Sequence, residues 1–141
     1  VFIVGCFKTQ NSTFESEQIM NDKTAIIHLL PNLGDFERCY WKITTEGNKS
    51  RSLPGPSTYT TEGFIILNSN TYKILKNNYK WQKADEIRLS NNCWNIEELN
   101  KKDHDWVYSI NFNKNILEGS YYKEFYMDLN YPILHFYVQN L

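Results

Sequence analysis

Tyr121-Tyr122-Lys123-Glu124-Phe125-Tyr126-Met127-Asp128-Leu129, broken by Asn130-Tyr131-Pro132 and resumed by Ile133-Leu134-His135-Phe136-Tyr137-Val138-Gln139, is the passage on which the fold turns. In the first run Tyr121, Lys123, Phe125, Met127 and Leu129 alternate with Tyr122, Glu124, Tyr126 and Asp128. In the second, Leu134, Phe136 and Val138 fall on one side. A period of two puts alternate side chains on opposite faces of a strand, and the Asn-Tyr-Pro break lets the chain reverse. The passage therefore reads as an antiparallel hairpin.

Upstream, Trp106, Tyr108, Ile110 and Phe112 alternate with Val107, Ser109 and Asn111, which predicts another strand. Tyr59 to Leu67 is rich in Thr, Phe and Ile, as strands are, and Phe36 to Thr45 sets Cys39, Trp41 and Ile43 against Arg38, Lys42 and Thr44. Thr24 to Leu30 is apolar apart from His28 and is stopped by Pro31 and Gly34, so it reads as a buried strand. Turn formers crowd Glu46 to Thr58, the expected long loop.

Two short helices interrupt the strands. Asn68-Ser69 offers a cap, and Tyr72, Leu75 and Tyr79 form a helical stripe over Asn70 to Tyr79. Asn95-Ile96-Glu97-Glu98 has the form of a capping box, with Asn95 as cap and Glu98 reaching back. The fold class is α+β: a mainly antiparallel sheet with one or two short helices packed on it.

A chain of 141 residues with 41% hydrophobic and 22% charged residues suits one folded domain. Aromatics reach 16%, and net charge is −1 with the cations scattered, so no basic stripe exists to bind nucleic acid. After the amino terminus no apolar run is long enough to span a bilayer.

The chain opens Val1-Phe2-Ile3-Val4-Gly5-Cys6, without Met, as a trimmed precursor or a fragment would. Ile3-Val4-Gly5-Cys6 resembles the lipobox of bacterial lipoproteins, and Leu53-Pro54-Gly55-Pro56 followed at a distance by Tyr79-Lys80-Trp81 resembles small lipoproteins of unknown function. The resemblance implies a lipid on Cys6, export, and attachment to the bacterial cell envelope through that lipid. It divides the chain into a signal remnant and polar tether, residues 1–22, and a globular domain, residues 23–141. The alternative is that Val1 to Phe7 forms the first strand of the sheet. Assigning Cys6 to a lipid leaves Cys39 and Cys93, either a disulfide worth about 4 kcal/mol or two buried thiols. No Cys-x-x-Cys spacing suggests zinc or redox chemistry.

Candidate chemistry is sparse. His28 and His135 sit among apolar residues and read as core or edge histidines; His104, between Asp103 and Asp105, is the one with catalytic interest. Glu97 and Glu98 are explained by a helix start. No nucleophile elbow, phosphate loop or His-Glu-x-x-His motif is present, so no catalytic residue, metal or cofactor is assigned, and the residues weigh against an enzyme. Three readings follow. The first is a membrane-tethered lipoprotein whose domain binds a protein or glycan, with Tyr122 and Tyr126 on the outward face, or supports the envelope. The second is a secreted carrier of lipocalin type with its strands closed into a barrel. The third is a small hydrolase using His104, which requires that ring to lie in a cleft beside a nucleophile or a distant carboxylate.

Overall fold

The computed structural model describes residues 18–46, 58–85, 94–119 and 122–140. Their order is α1 (Lys23–Leu29), β1 (Phe36–Glu46), β2 (Thr58–Leu67), α2 (Ser69–Asn78), β3 (Gln82–Lys83), a 3-10 turn (Glu97–Asn100), β4 (Trp106–Tyr108), α3 (Ile110–Ile116), β5 (Tyr122–Asp128) and β6 (Ile133–Asn140). The six strands form one antiparallel sheet in the order β1-β2-β6-β5-β4-β3. The fold is α+β, and β5 and β6 pair as the hairpin read from their alternation.

All three helices cover one face. Ile26 and Leu30 from the α1 region, Leu75 from α2, and Phe112 and Ile116 from α3 pack on Trp41, Ile65, Leu67, Phe125, Met127, Leu134, Phe136 and Val138. The opposite face holds a smaller apolar cluster of Phe64, Ile66 and Ile133 under Ile96, with Trp94, Leu99, Trp106 and Tyr131 at its margin. Both faces of the middle strands are thus buried, which is why β2 from Glu62 to Leu67 is buried without alternation.

Two segments read as strands are helices. Asp22 caps α1 by accepting from the Thr24 N–H at 2.9 Å, and Ile26 and Leu30, four apart, are buried while Ile27 and His28 are exposed. A short apolar run carries no period of its own, and here the cap decided. Likewise β4 stops at Tyr108, because Ser109 Oγ accepts from the Phe112 N–H at 3.2 Å and starts α3. Ile110, expected beside Phe112, is 55% exposed; the buried pair is Phe112 and Ile116. Helix α2 is as read, with Asn68 accepting from the Thr71 N–H at 2.8 Å. The acidic turn differs again. Ile96, not Asn95, precedes it, no side chain caps it, and Glu98 instead meets Arg38 of β1 at 2.5 Å.

Met20 bridges Trp41 through paired backbone hydrogen bonds of 2.7 and 2.8 Å, so the packed body takes in Met20 and Asp22 from the span read as tether. Cys6, Cys93 and residues 47–57, most of the expected long loop, lie outside the described residues. No helix among the described residues is long and apolar enough to cross a membrane.

Candidate binding cleft and the polar face of the sheet

Strand β4 pairs with β5 at Trp106↔Asp128 and Val107↔Met127. Beyond Tyr108 the chain leaves the sheet for α3, and it is drawn back at the far end of that helix, where Lys123 Nζ donates to the Leu117 carbonyl. Leaving and returning opens a cleft of ≈ 400 Å³ against β5. This volume falls in the range of small-ligand and side-chain pockets. Tyr108 and Tyr126 supply aromatic wall, and Ile110 stands exposed beside them. Asn113, on α3, contributes a buried Oδ1 with no hydrogen-bond partner among the described residues. An unsatisfied buried acceptor costs about 1 to 3 kcal/mol, so a donor brought by a partner would be rewarded there. Asp85 and Glu124 balance Lys114 and Lys123 around the cleft, which removes any strong pull on a polyphosphate.

The same face of the sheet carries a buried polar group. Lys42, Glu62 and His135 are 1%, 3% and 0% exposed. Glu62 Oε2 lies 3.9 Å from Lys42 Nζ, and Oε1 lies 3.5 Å from His135 Nε2, the latter too long for a hydrogen bond. Register produces the grouping, since Lys42 faces Glu62 across β1–β2 and His135, opposite Phe64 across β2–β6, lies diagonal to Glu62 on the same face. Trp94 lids it, with Lys42 Nζ 4.9 Å from its ring centre. Both His135 ring nitrogens lack hydrogen-bond partners among the described residues.

His104 does lie beside a distant carboxylate. Its Nδ1 is 2.5 Å from Asp128 Oδ2, its side chain is 17% exposed, and Asp128 is fully buried. Asp128 Oδ1 also accepts from the Asp105 and Asn130 N–H groups at 3.0 and 2.9 Å. The ring stacks on Trp106 and meets Tyr131 edge-on, while Nε2 lies 3.4 Å from the Leu99 carbonyl. Among the described residues its ring nitrogens therefore meet a carboxylate and a carbonyl, and the hydroxyl of nearby Tyr131 donates to the Lys102 carbonyl instead. The arrangement fastens the 3-10 turn and the start of β4 to the end of β5.

Cys39 is a buried thiol on the helix face, without a disulfide partner among the described residues and within 3.6 and 3.7 Å of the Asp22 and Asn21 carbonyls. Burial pushes its pKa up to about 11, with the Lys23 ammonium pulling the other way and Asp22 adding to the rise. The chain resumes at Trp94 against the opposite face. His28 is exposed on α1, and His135 is in the core as read. No three His, Cys, Asp or Glu residues among those described are placed to hold a metal. Sequence reasoning missed Asn113, Lys42, Glu62 and Asp128; Lys42 and Asp128 carried the one signal, as outward positions in alternating strands that a buried partner could claim.

No family model, curated protein or solved structure matches the chain.

Proposed function

We propose that the chain is an exported lipoprotein, held on the bacterial envelope through Cys6, whose folded body is a binding module that receives its partner in the cleft between β5 and α3. The observation that carries the binding half is the cleft itself, with aromatic walls and the buried, unsatisfied Asn113 Oδ1. The lipobox-like Ile3-Val4-Gly5-Cys6 supports the anchor. Neither rival gains comparable support. His104 is occupied by Asp128 and Leu99, and the described strands form an open sheet with β1 and β3 at its edges, where a carrier of lipocalin type needs a closed barrel.

Two measurements test the two halves. Mass spectrometry of the amino-terminal peptide from native membranes should find Cys6 acylated, and Cys6→Ser should release the protein into the soluble fraction. An unmodified Cys6 ends the anchor. For the cleft, a photo-crosslinking residue at Ile110 should capture a partner in living cells, and Asn113→Leu should reduce that capture. The same group at Lys73, exposed on α2, should not capture it. Equal yields from the two positions, or none, would remove the binding reading.

A further inference from the structure

Building on the cleft as binding site, we propose that it is a strand-addition site: an extended peptide segment of a partner protein pairs with the backbone of Lys123 and Phe125, in the place that β4 vacates after Tyr108.

Backbone direction carries the argument. In an antiparallel ladder the N–H and C=O of a given residue point to the same neighbour, and successive residues alternate. The Leu129 N–H donates to the Asp105 carbonyl at 2.9 Å, which directs Leu129 towards the β4 side. Counting back by twos, Met127 meets Val107, and Phe125 and Lys123 then turn their backbone groups the same way. Glu124 and Tyr126 turn theirs towards Tyr137 and His135 of β6. Were β4 to continue, Ser109 would stand opposite Phe125. Its carbonyl is instead engaged by the Asn113 N–H at 3.0 Å, as the first bond of α3. Among the described residues no strand pairs with β5 on this side between Tyr122 and Tyr126.

The cleft's lining agrees with this. Phe125 as a whole is 2% exposed and its ring belongs to the core under the helices, so only a small part of it reaches the cleft that it borders. A partner strand would meet the half-buried Lys123 and the edge of Phe125, with room for a side chain in the cleft that Tyr108 and Tyr126 line, apolar contact at exposed Ile110, and the Asn113 Oδ1 acceptor. Main-chain pairing gives such sites affinity and the adjoining pocket gives selectivity. The balanced charges around the cleft suit the neutral peptide backbone, which needs no net attraction to dock.

The experiment selects ligands from a displayed library of random heptapeptides on the folded chain, then resynthesises each with its backbone amides N-methylated one at a time. Strand addition predicts a weakening of about tenfold or more at every second amide and little effect between. It also predicts slowed hydrogen exchange at the Lys123 and Phe125 amides with no change at Glu124 and Tyr126, and loss of binding in Ile110→Arg, a change at an exposed position that leaves folding intact. Peptides that need Ile110 yet show a flat N-methylation profile and unprotected Lys123 and Phe125 would overturn strand addition while leaving the cleft as a binding site. Failure to select any peptide sensitive to Ile110→Arg would overturn it as well, and crosslinking from position 110 would then decide separately whether the cleft binds something else.

Discussion

Asp128 and His104, 24 residues apart in sequence, are joined by a 2.5 Å contact between Oδ2 and Nδ1 that ties the end of β5 to the start of β4. The carboxylate also gathers two backbone N–H groups, so it satisfies three donors from a fully buried position. Removing it leaves all three behind. Asp128→Ala is expected to cost about 3 to 5 kcal/mol in urea unfolding, and His104→Ala about 2 kcal/mol. Equal and small losses would mean that solvent reaches the pair.

Lys42 and Glu62 make a second expectation. A lone charge left in the interior costs more than the pair contributes, so Glu62→Ala should destabilise by about 3 kcal/mol or more. The double variant Lys42→Met/Glu62→Leu, which removes both charges and keeps the volume, should fall within about 1 kcal/mol of the parent. A double-mutant cycle on purified protein reads the difference directly.

Cys39 should be chemically quiet when folded. With its pKa pushed up to about 11, almost no thiolate exists at pH 8, and iodoacetamide should label Cys39 only after denaturation. Rapid labelling of the native protein would contradict the burial. Absence of label in denaturant without reductant, restored by reductant, would instead reveal a disulfide.

Alkali should weaken the fold through the same residue and Tyr72. The Tyr72 pKa is raised from 10.0 to about 12, first by burial and then by the nearby Asp128 charge, and its hydroxyl donates to the Asp128 carbonyl at 2.7 Å. Below pH 9 both groups are protonated in folded and unfolded chains alike, so neither contributes a slope. As pH rises through 9 to 11 the unfolded thiol loses its proton first, and through 10 to 12 the unfolded phenol does the same, so stability falls across both windows. Tyr72→Phe should flatten the upper part of that decline in urea unfolding measured against pH; an unchanged slope would assign it to other groups.

Gly63 faces Trp41 in the β1–β2 ladder. A Cβ there would meet Trp41 Cα at 2.8 Å, and the Tyr40 carbonyl is closer still, with backbone on both counts. Gly63→Ala should therefore cost about 3 kcal/mol or prevent folding, seen as a lowered Tm. Gly34→Ala should also be harmful, for a different reason: its φ of 97° is strained for any residue with a side chain.

How much of this was written in the chain depends on the range of the force involved. Phe125, Met127, Leu134, Phe136 and Val138 announce their strands because a period of two is a local property, and Asn68 announces α2 because a cap bonds to a residue three positions on. Thr24 to Leu30 and Ile110 to Ile116 were ambiguous. The first is apolar almost throughout and so shows no period, the second continues the alternation of Trp106 and Tyr108, and the choice fell to the caps Asp22 and Ser109.

Short-range pattern in the chain was enough for an α+β fold with an antiparallel sheet and a hairpin at its end, and it offered no familiar catalytic motif. Contacts between distant segments were needed to bury Lys42 and Glu62, to bring His104 to Asp128 instead of its neighbours Asp103 and Asp105, and to carry β5 past the end of β4 so that a cleft remains. Local propensity acts over a few residues, whereas burial, ion pairing and unpaired strand edges are set by which distant segments arrive opposite one another, and that is known only when the sheet has closed its register.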